Sequence, residues 1–175
     1  MAKEYKEFFV YLFTCMVLGI IISLCFCAYF GINTCYASEI TRVEVHKSAG
    51  MMYLYNEHNE VEYRYVVRTG LNGGAKHCDG DKKTPEGTYK VIDKWDSKYV
   101  KFLAIDYPNK KDIERAKELG CNPGDSIGIH YYNKEYTNDP STLEGSLGCI
   151  TVWSKTEMME ISEMVKVGTE VIIKK

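Results

Sequence analysis

The sequence predicts a mainly β domain with short α-helices, preceded by one apolar N-terminal helix. Three observations carry this. Phe8 to Ile32 contains no charged residue. From about Ser38 onward, short β-branched and aromatic runs are separated by Gly, Pro, Asn and Asp turns. Helical spacing is confined to a stretch around Asp112 and another after Ser154.

The N-terminal run holds Val10, Leu12, Phe13, Met16, Val17, Leu18, Ile20, Ile21, Ile22, Leu24 and Phe26. As a helix it would exceed the roughly 20 residues needed to cross a bilayer. Lys3 and Lys6 precede it, consistent with a cytoplasmic N-terminus, although Glu4 and Glu7 dilute the signal. Two readings stand: a signal anchor, favoured by the run's length, or a signal peptide cleaved after Cys35-Tyr36-Ala37. Both divide the chain into 1–37, a membrane segment, and 38–175, an extracytoplasmic domain.

Within 38–175, Thr41 to Val45 alternates as a half-buried strand should. Met51 to Tyr55 and Val61 to Thr69 flank the turn Asn56-Glu57-His58-Asn59 and read as a hairpin. Gly70 to Asp81 is a glycine-rich loop. Thr88 to Lys94 and Phe102 to Tyr107 are further strands. Asp112 to Leu119 is a short helix stopped by Gly120. Asn122 to Asp125 is a turn, Ser126 to His130 a short strand, and Tyr131 to Gly145 a loop over a cleft. Ser154 and Glu157 form a capping-box pattern for a helix whose apolar face is Met158, Ile161, Met164 and Val165. Gly168 ends it, and Thr169 to Ile173 is a closing strand.

Formal net charge is −2, which gives no case for nucleic acid as a partner. Of seven cysteines, Cys78, Cys121 and Cys149 fall in the exported part. Their number is odd, so one thiol lacks a partner within the domain. Export permits a Cys78–Cys121 disulfide, but spacing does not establish one.

His130 and Cys149 are a base and a nucleophile in search of a site. A thiol attacks as the thiolate, and a nearby imidazole can take its proton and hold it as an ion pair. No Asp or Asn stands out to orient the imidazole, so a backbone carbonyl is the candidate. Gly148 clears space for a substrate carbonyl, and the amides around Gly148 and Cys149 could form an oxyanion hole. Taken alone, a Gly-Cys pair and one histidine are more often structural. A zinc site from Cys78, Cys121, Cys149, His77 and His130 lacks paired ligand spacing. A papain-like reading fails on chain order, because here the histidine comes first. Thr84-Pro85-Glu86-Gly87 is in isolation a plain turn signal.

Together these segments resemble the L,D-transpeptidase (YkuD-type) catalytic domain. That family carries a histidine, a short gap and a Ser-x-Gly-Cys element, matched by His130, Ser146, Gly148 and Cys149. Its Thr-Pro-x-Gly-x-aromatic stretch is matched by Thr84 to Tyr89. A subgroup adds Gly-Asp, matched by Gly80-Asp81, and Tyr-Pro-Asn-x-x-Asp, matched by Tyr107-Pro108-Asn109 and Asp112. Val167 to Ile172 resembles the family's C-terminal segment. The likeness runs from about Val43 to Ile173. Leu147 stands where many members have a second histidine, and Thr151 where many have Arg or Asn.

The resemblance implies a β-sandwich and a peptidoglycan L,D-transpeptidase of the bacterial cell wall. Cys149 would be the nucleophile, His130 its base and the Tyr131 carbonyl the orienting group. Ser146, Leu147, Gly148 and Thr151 would shape the substrate and oxyanion pocket. The thiolate attacks the third residue of a tetrapeptide stem, D-alanine leaves, and an amine resolves the thioester into a 3→3 cross-link. A protein lysine as acceptor would make a protein–peptidoglycan ligase, and water an L,D-carboxypeptidase. A rival from another class is an inactive wall-binding module. No metal or organic cofactor is implied. The expected partners are peptidoglycan stem peptides, the membrane through the N-terminal helix, and a wall-linked protein if one is the acceptor. Tyr131, Tyr132 and Tyr136 are expected in a lid.

Overall fold

A computed structural model describes residues 13–20, 38–133 and 145–175. The chain divides into two compact units, Met1–Ala37 and Ser38–Lys175. In the first, residues 13–20 lie in a helix, α1. Among the described residues no helix is long and apolar enough to cross a membrane. The remainder of the Phe8–Ile32 run, on which the anchor expectation rests, and the cleavage site at Ala37 lie outside the described residues.

The second unit is mainly β. Its strands are β1 (Ile40–His46), β2 (Met51–Asn56), β3 (Val61–Arg68), β4 (Gly87–Ser97), β5 (Val100–Ile105), β6 (Gly128–Tyr131), β7 (Ile150–Val152) and β8 (Glu170–Lys174). Helix α2 (Lys110–Glu118) sits between β5 and β6, and α3 (Lys155–Met164) between β7 and β8. The strand order is β1-β2-β3-β7-β6-β5-β4-β8, closing on itself into a barrel. Pairs β1–β8 and β6–β7 are parallel and the others antiparallel.

This closed ring corrects the expected sandwich. Two strands each serve two neighbours in succession. The start of β4 (Gly87 to Lys90) pairs with β8, and its later part (Val91 to Ser97) pairs with β5 across a register shift between Val91 and Asp93. The end of β3, Val67 and Arg68, pairs with β7 after the rest has paired with β2. An extra residue bends a strand and increases its twist. What would be two open sheets becomes continuous, and no unpaired edge remains at those junctions.

Alternation fills the inside. Val43 and Val45 of β1, Met52 and Leu54 of β2, Leu103 and Ile105 of β5, and Val171 and Ile173 of β8 are all buried. Helix α3 packs chiefly on β5 and also touches β6 and β7. Met158, Ile161 and Val165 on its inner face are fully buried, as the helical spacing predicted. Each such side chain contributes about 1.5–3 kcal/mol by leaving water. Ser154 caps α3 by accepting from the Glu157 amide at 3.4 Å, which is half of the predicted capping box. The complete box belongs to α2, where Asn109 and Asp112 satisfy each other's backbone amides. That is what the Tyr-Pro-Asn-x-x-Asp element does here.

Candidate active site

The site is built where β6 and β7 run in parallel. Their register sets Ile129 against Ile150 and His130 against Thr151. Cys149, immediately before β7, therefore lies one step back along the register, level with Gly128. Cys149 and His130 both open into a cavity of about 970 Å3. Its walls include Ile92, Trp95, Tyr99 and Phe102 from the β4–β5 hairpin, and Lys76, Asp79, Asp125 and Ser126 from two loops.

His130 sits between two aromatic rings. Tyr99 lies 4.4 Å from it, centroid to centroid, and Phe102 5.5 Å away with its plane tilted by only 16°. A side chain at Gly128 would meet the Leu103 carbonyl at 2.4 Å and the Phe102 ring at 2.5 Å. Glycine there is what admits the Phe102 ring beside the imidazole. The imidazole Nδ1 is 2.9 Å from the Tyr131 carbonyl oxygen. That bond fixes Nδ1 as the protonated nitrogen and leaves Nε2 with its lone pair. Burial pushes the imidazole below its ordinary pKa, and the carbonyl offsets this in part.

Cys149 is a free thiol. Its Sγ donates to the Ser126 carbonyl at 3.5 Å. Burial pushes the thiol up to about 11, against the pull of the Gly128 amide and the Lys76 charge. Burial thus disfavours the charged form of each group, the thiolate and the imidazolium.

Two hydroxyls hold the loop before β7. Thr84, fully buried, donates to the Gly148 carbonyl at 2.8 Å and accepts from the Gly70 amide at 2.8 Å. Ser146 Oγ accepts from the Gly148 amide at 3.0 Å and donates to the Cys149 carbonyl at 2.5 Å. The Ser146 backbone is itself stitched to Thr69 and Leu71. Gly148 adopts φ +145°, and a side chain there would press on Ile127 at 2.9 Å and the Lys83 carbonyl at 3.0 Å. The peptide joining Gly148 to Cys149 is trans, so fixing its carbonyl on Thr84 aims the Cys149 N–H the opposite way. The Gly148 N–H, by contrast, is already engaged by Ser146.

The remaining expected residues are dispersed around this centre. Leu147 is 60% exposed at the rim of the cavity. Thr151 is buried beneath it, paired with His130 and Arg68. Tyr131 packs its ring on the core and offers the site only its carbonyl. Tyr132 is buried against Trp153, with centroids 4.9 Å apart, so it belongs to the wall and not to a lid. Of the loop expected over the cleft, Tyr131 to Gly145, residues 134–144, Tyr136 among them, lie outside the described residues. Cys78 and Cys121 form a disulfide, which removes both from the weighed zinc set and leaves Cys149 as the unpaired thiol of residues 38–175.

Sequence reasoning missed Tyr99, Phe102 and Lys76, and placed Thr84 in a turn and a family motif without assigning it a role in the site. A Gly at 128 in an otherwise buried strand was the available signal for a close ring. The Thr84 hydroxyl was signalled by its place in a motif, though not by any local pattern.

Comparison with known proteins supplies the wider setting. The chain is similar in fold to the helical cell shape determining protein Pgp2 from Campylobacter jejuni, at TM-score 0.61 and 23% identity over 80% of this chain and 49% of that one. It is likewise similar to Bd1075 of Bdellovibrio bacteriovorus, at TM-score 0.56 and 22% identity over 79% of this chain and 49% of that one. The catalytic domain of the Enterococcus faecium L,D-transpeptidase gives TM-score 0.51 and 22% identity over 79% of this chain and 99% of that domain. The chain thus spans about half the length of the first two. No curated protein matches it in sequence. The sequence profile of the L,D-transpeptidase catalytic domain (YkuD) matches residues 40–173, nearly the whole of the second unit. The chain belongs to the L,D-transpeptidase catalytic domain family.

Proposed function

We propose that this chain is a peptidoglycan L,D-transpeptidase that forms 3→3 cross-links through a thioester on Cys149. The observation that carries this reading is the arrangement of His130. Its Nδ1 is tied to the Tyr131 carbonyl, and it shares one cavity with the Cys149 thiol. Nε2 is then the base. Because the thiol rests protonated, proton transfer to Nε2 accompanies attack on the stem carbonyl. The Cys149 N–H, aimed by Thr84, receives the developing oxyanion. The imidazolium returns its proton to the leaving D-alanine amine, and an acceptor amine resolves the thioester by the reverse sequence. In this reading the domain works outside the cytoplasm, with residues 1–37 as its membrane segment.

The test uses the chain and its Cys149→Ala variant with purified disaccharide-tetrapeptides, and weighs the products. Dimers that lack one D-alanine and depend on Cys149 are expected. Tripeptide monomers alone would reassign the chain as an L,D-carboxypeptidase. No change with either protein under reducing conditions would overturn the enzyme reading in favour of a wall-binding module.

A further inference from the structure

We propose that Lys76 is a specificity-determining residue whose buried ammonium receives the free carboxylate of the stem peptide's leaving residue. This rests on the stem-peptide reading above.

Lys76 is 4% exposed, yet it lines the same cavity as Cys149. Its Nζ donates to the Cys78 carbonyl at 2.9 Å and to Asp81 Oδ1 at 3.1 Å. An ammonium has three N–H donors, so one has no partner among the described residues. A buried charge with an unmet donor is costly unless an acceptor arrives.

Asp81 does not cancel this cation fully. Its two oxygens also accept from the amides of His77 at 2.8 Å, Cys78 at 3.1 Å and Lys83 at 3.0 Å. Much of the carboxylate's charge is thus spent on the backbone. The other acids on that side of the cavity, Asp79 and Asp125, are exposed, so water screens them. Asp79 Oδ1 accepts from the Gly80 amide, and Asp125 Oδ1 from the Ser126 hydroxyl.

Placement agrees with the chemistry. The loop bearing Lys76 is fixed to the loop after α2 by the Cys78–Cys121 disulfide and by a 2.6 Å bond from the Asp79 amide to the Asn122 carbonyl. The Lys76 charge also reaches the Cys149 sulfur, where it opposes the effect of burial. The carboxylate of a C-terminal residue is three bonds from the carbonyl that the thiol attacks. A cation within electrostatic reach of that thiol is therefore suitably placed to read whether the chain ends there.

The test titrates a tetrapeptide, and the same peptide as its C-terminal amide, into the full chain carrying Cys149→Ala. Calorimetry reads the affinities. The free acid is expected to bind about ten-fold or more tightly than the amide, the worth of a charge-assisted hydrogen bond. Lys76→Met in the same background brings that ratio close to one, and Lys76→Arg keeps most of it. Equal binding of acid and amide, or a ratio unchanged in Lys76→Met, would overturn the assignment and leave Lys76 as a structural partner of Asp81. If Lys76→Met does not fold, the acid-to-amide ratio with Lys76 present decides by itself. Binding of neither peptide would instead sink the stem-peptide reading, an outcome distinct from equal binding of both.

Discussion

The two sides of the cavity are made in opposite ways. On the Cys149 side, hydroxyls and backbone amides do the holding. Thr84, Ser146 and Asp81 are internal, and between them they fix the carbonyls of Gly148 and Cys149 and the ammonium of Lys76. On the β4–β5 side, contact is aromatic and partly open. Trp95 is 45% exposed and stacks on Phe102 at 4.9 Å, and Phe102 in turn flanks His130. The contrast teaches where rigidity is invested. The proposed nucleophile and oxyanion donor need fixed positions, and hydrogen bonds of this kind enforce them. An exposed aromatic wall tolerates variation and can bind by contact area alone.

The contrast can be broken first at the disulfide. Replacing Cys78 and Cys121 together by alanine frees the loop that carries Lys76. The sequence separation is 43, for which chain entropy alone gives a loss of about 4 kcal/mol in urea unfolding. A loss near zero would show that the Asp81 bonds hold this wall unaided.

Next in size is Thr84→Val, which keeps the shape and removes the hydroxyl. It strands the Gly70 amide and the Gly148 carbonyl, at about 1–3 kcal/mol for each buried group left without a partner. Acylation of Cys149 is expected to slow as well, because the Cys149 N–H is no longer aimed. Unchanged acylation in a destabilised Thr84→Val protein would separate the clamp from the chemistry.

The aromatic side is probed by pH. Burial holds His130, the proposed base, below its ordinary value of 6.5. The acid limb of kcat/KM is therefore expected below that pH. Phe102→Ala admits water and moves the limb upward, toward 6.5. The same sign applies to stability: a depressed imidazole makes the unfolded state the better proton acceptor, so the fold weakens as pH falls below the unfolded histidine's range. A limb that stays put in Phe102→Ala would remove the ring from the explanation. The smallest effect is expected from Trp95→Ala, a rise in KM of a few-fold with stability and kcat nearly unchanged.

The same contrast decides what could be read from the sequence. Strands β1 to β3 and helix α3 were legible because alternation and helical spacing record which face meets the core. Strand β7 was not, since Ile150, Thr151 and Val152 are all buried and show no period. Closure of the barrel was hidden because it depends on β4 changing partners at a register shift. His130 and Cys149 stood out by residue type and order. Thr84 and Lys76 did not, because their roles come from partners distant in sequence, such as Gly148 for Thr84, and from burial that a threonine in a turn or a lysine in a loop does not announce.

The most direct test of the central claim is the intact mass of the chain, quenched in acid during incubation with tetrapeptide. The expected result is an acyl adduct, one stem less its D-alanine, that maps to Cys149, is lost in Cys149→Ala and forms far more slowly in His130→Gln. An adduct on another residue, or an adduct rate indifferent to His130, would contradict the assignment of Cys149 and His130 as nucleophile and base.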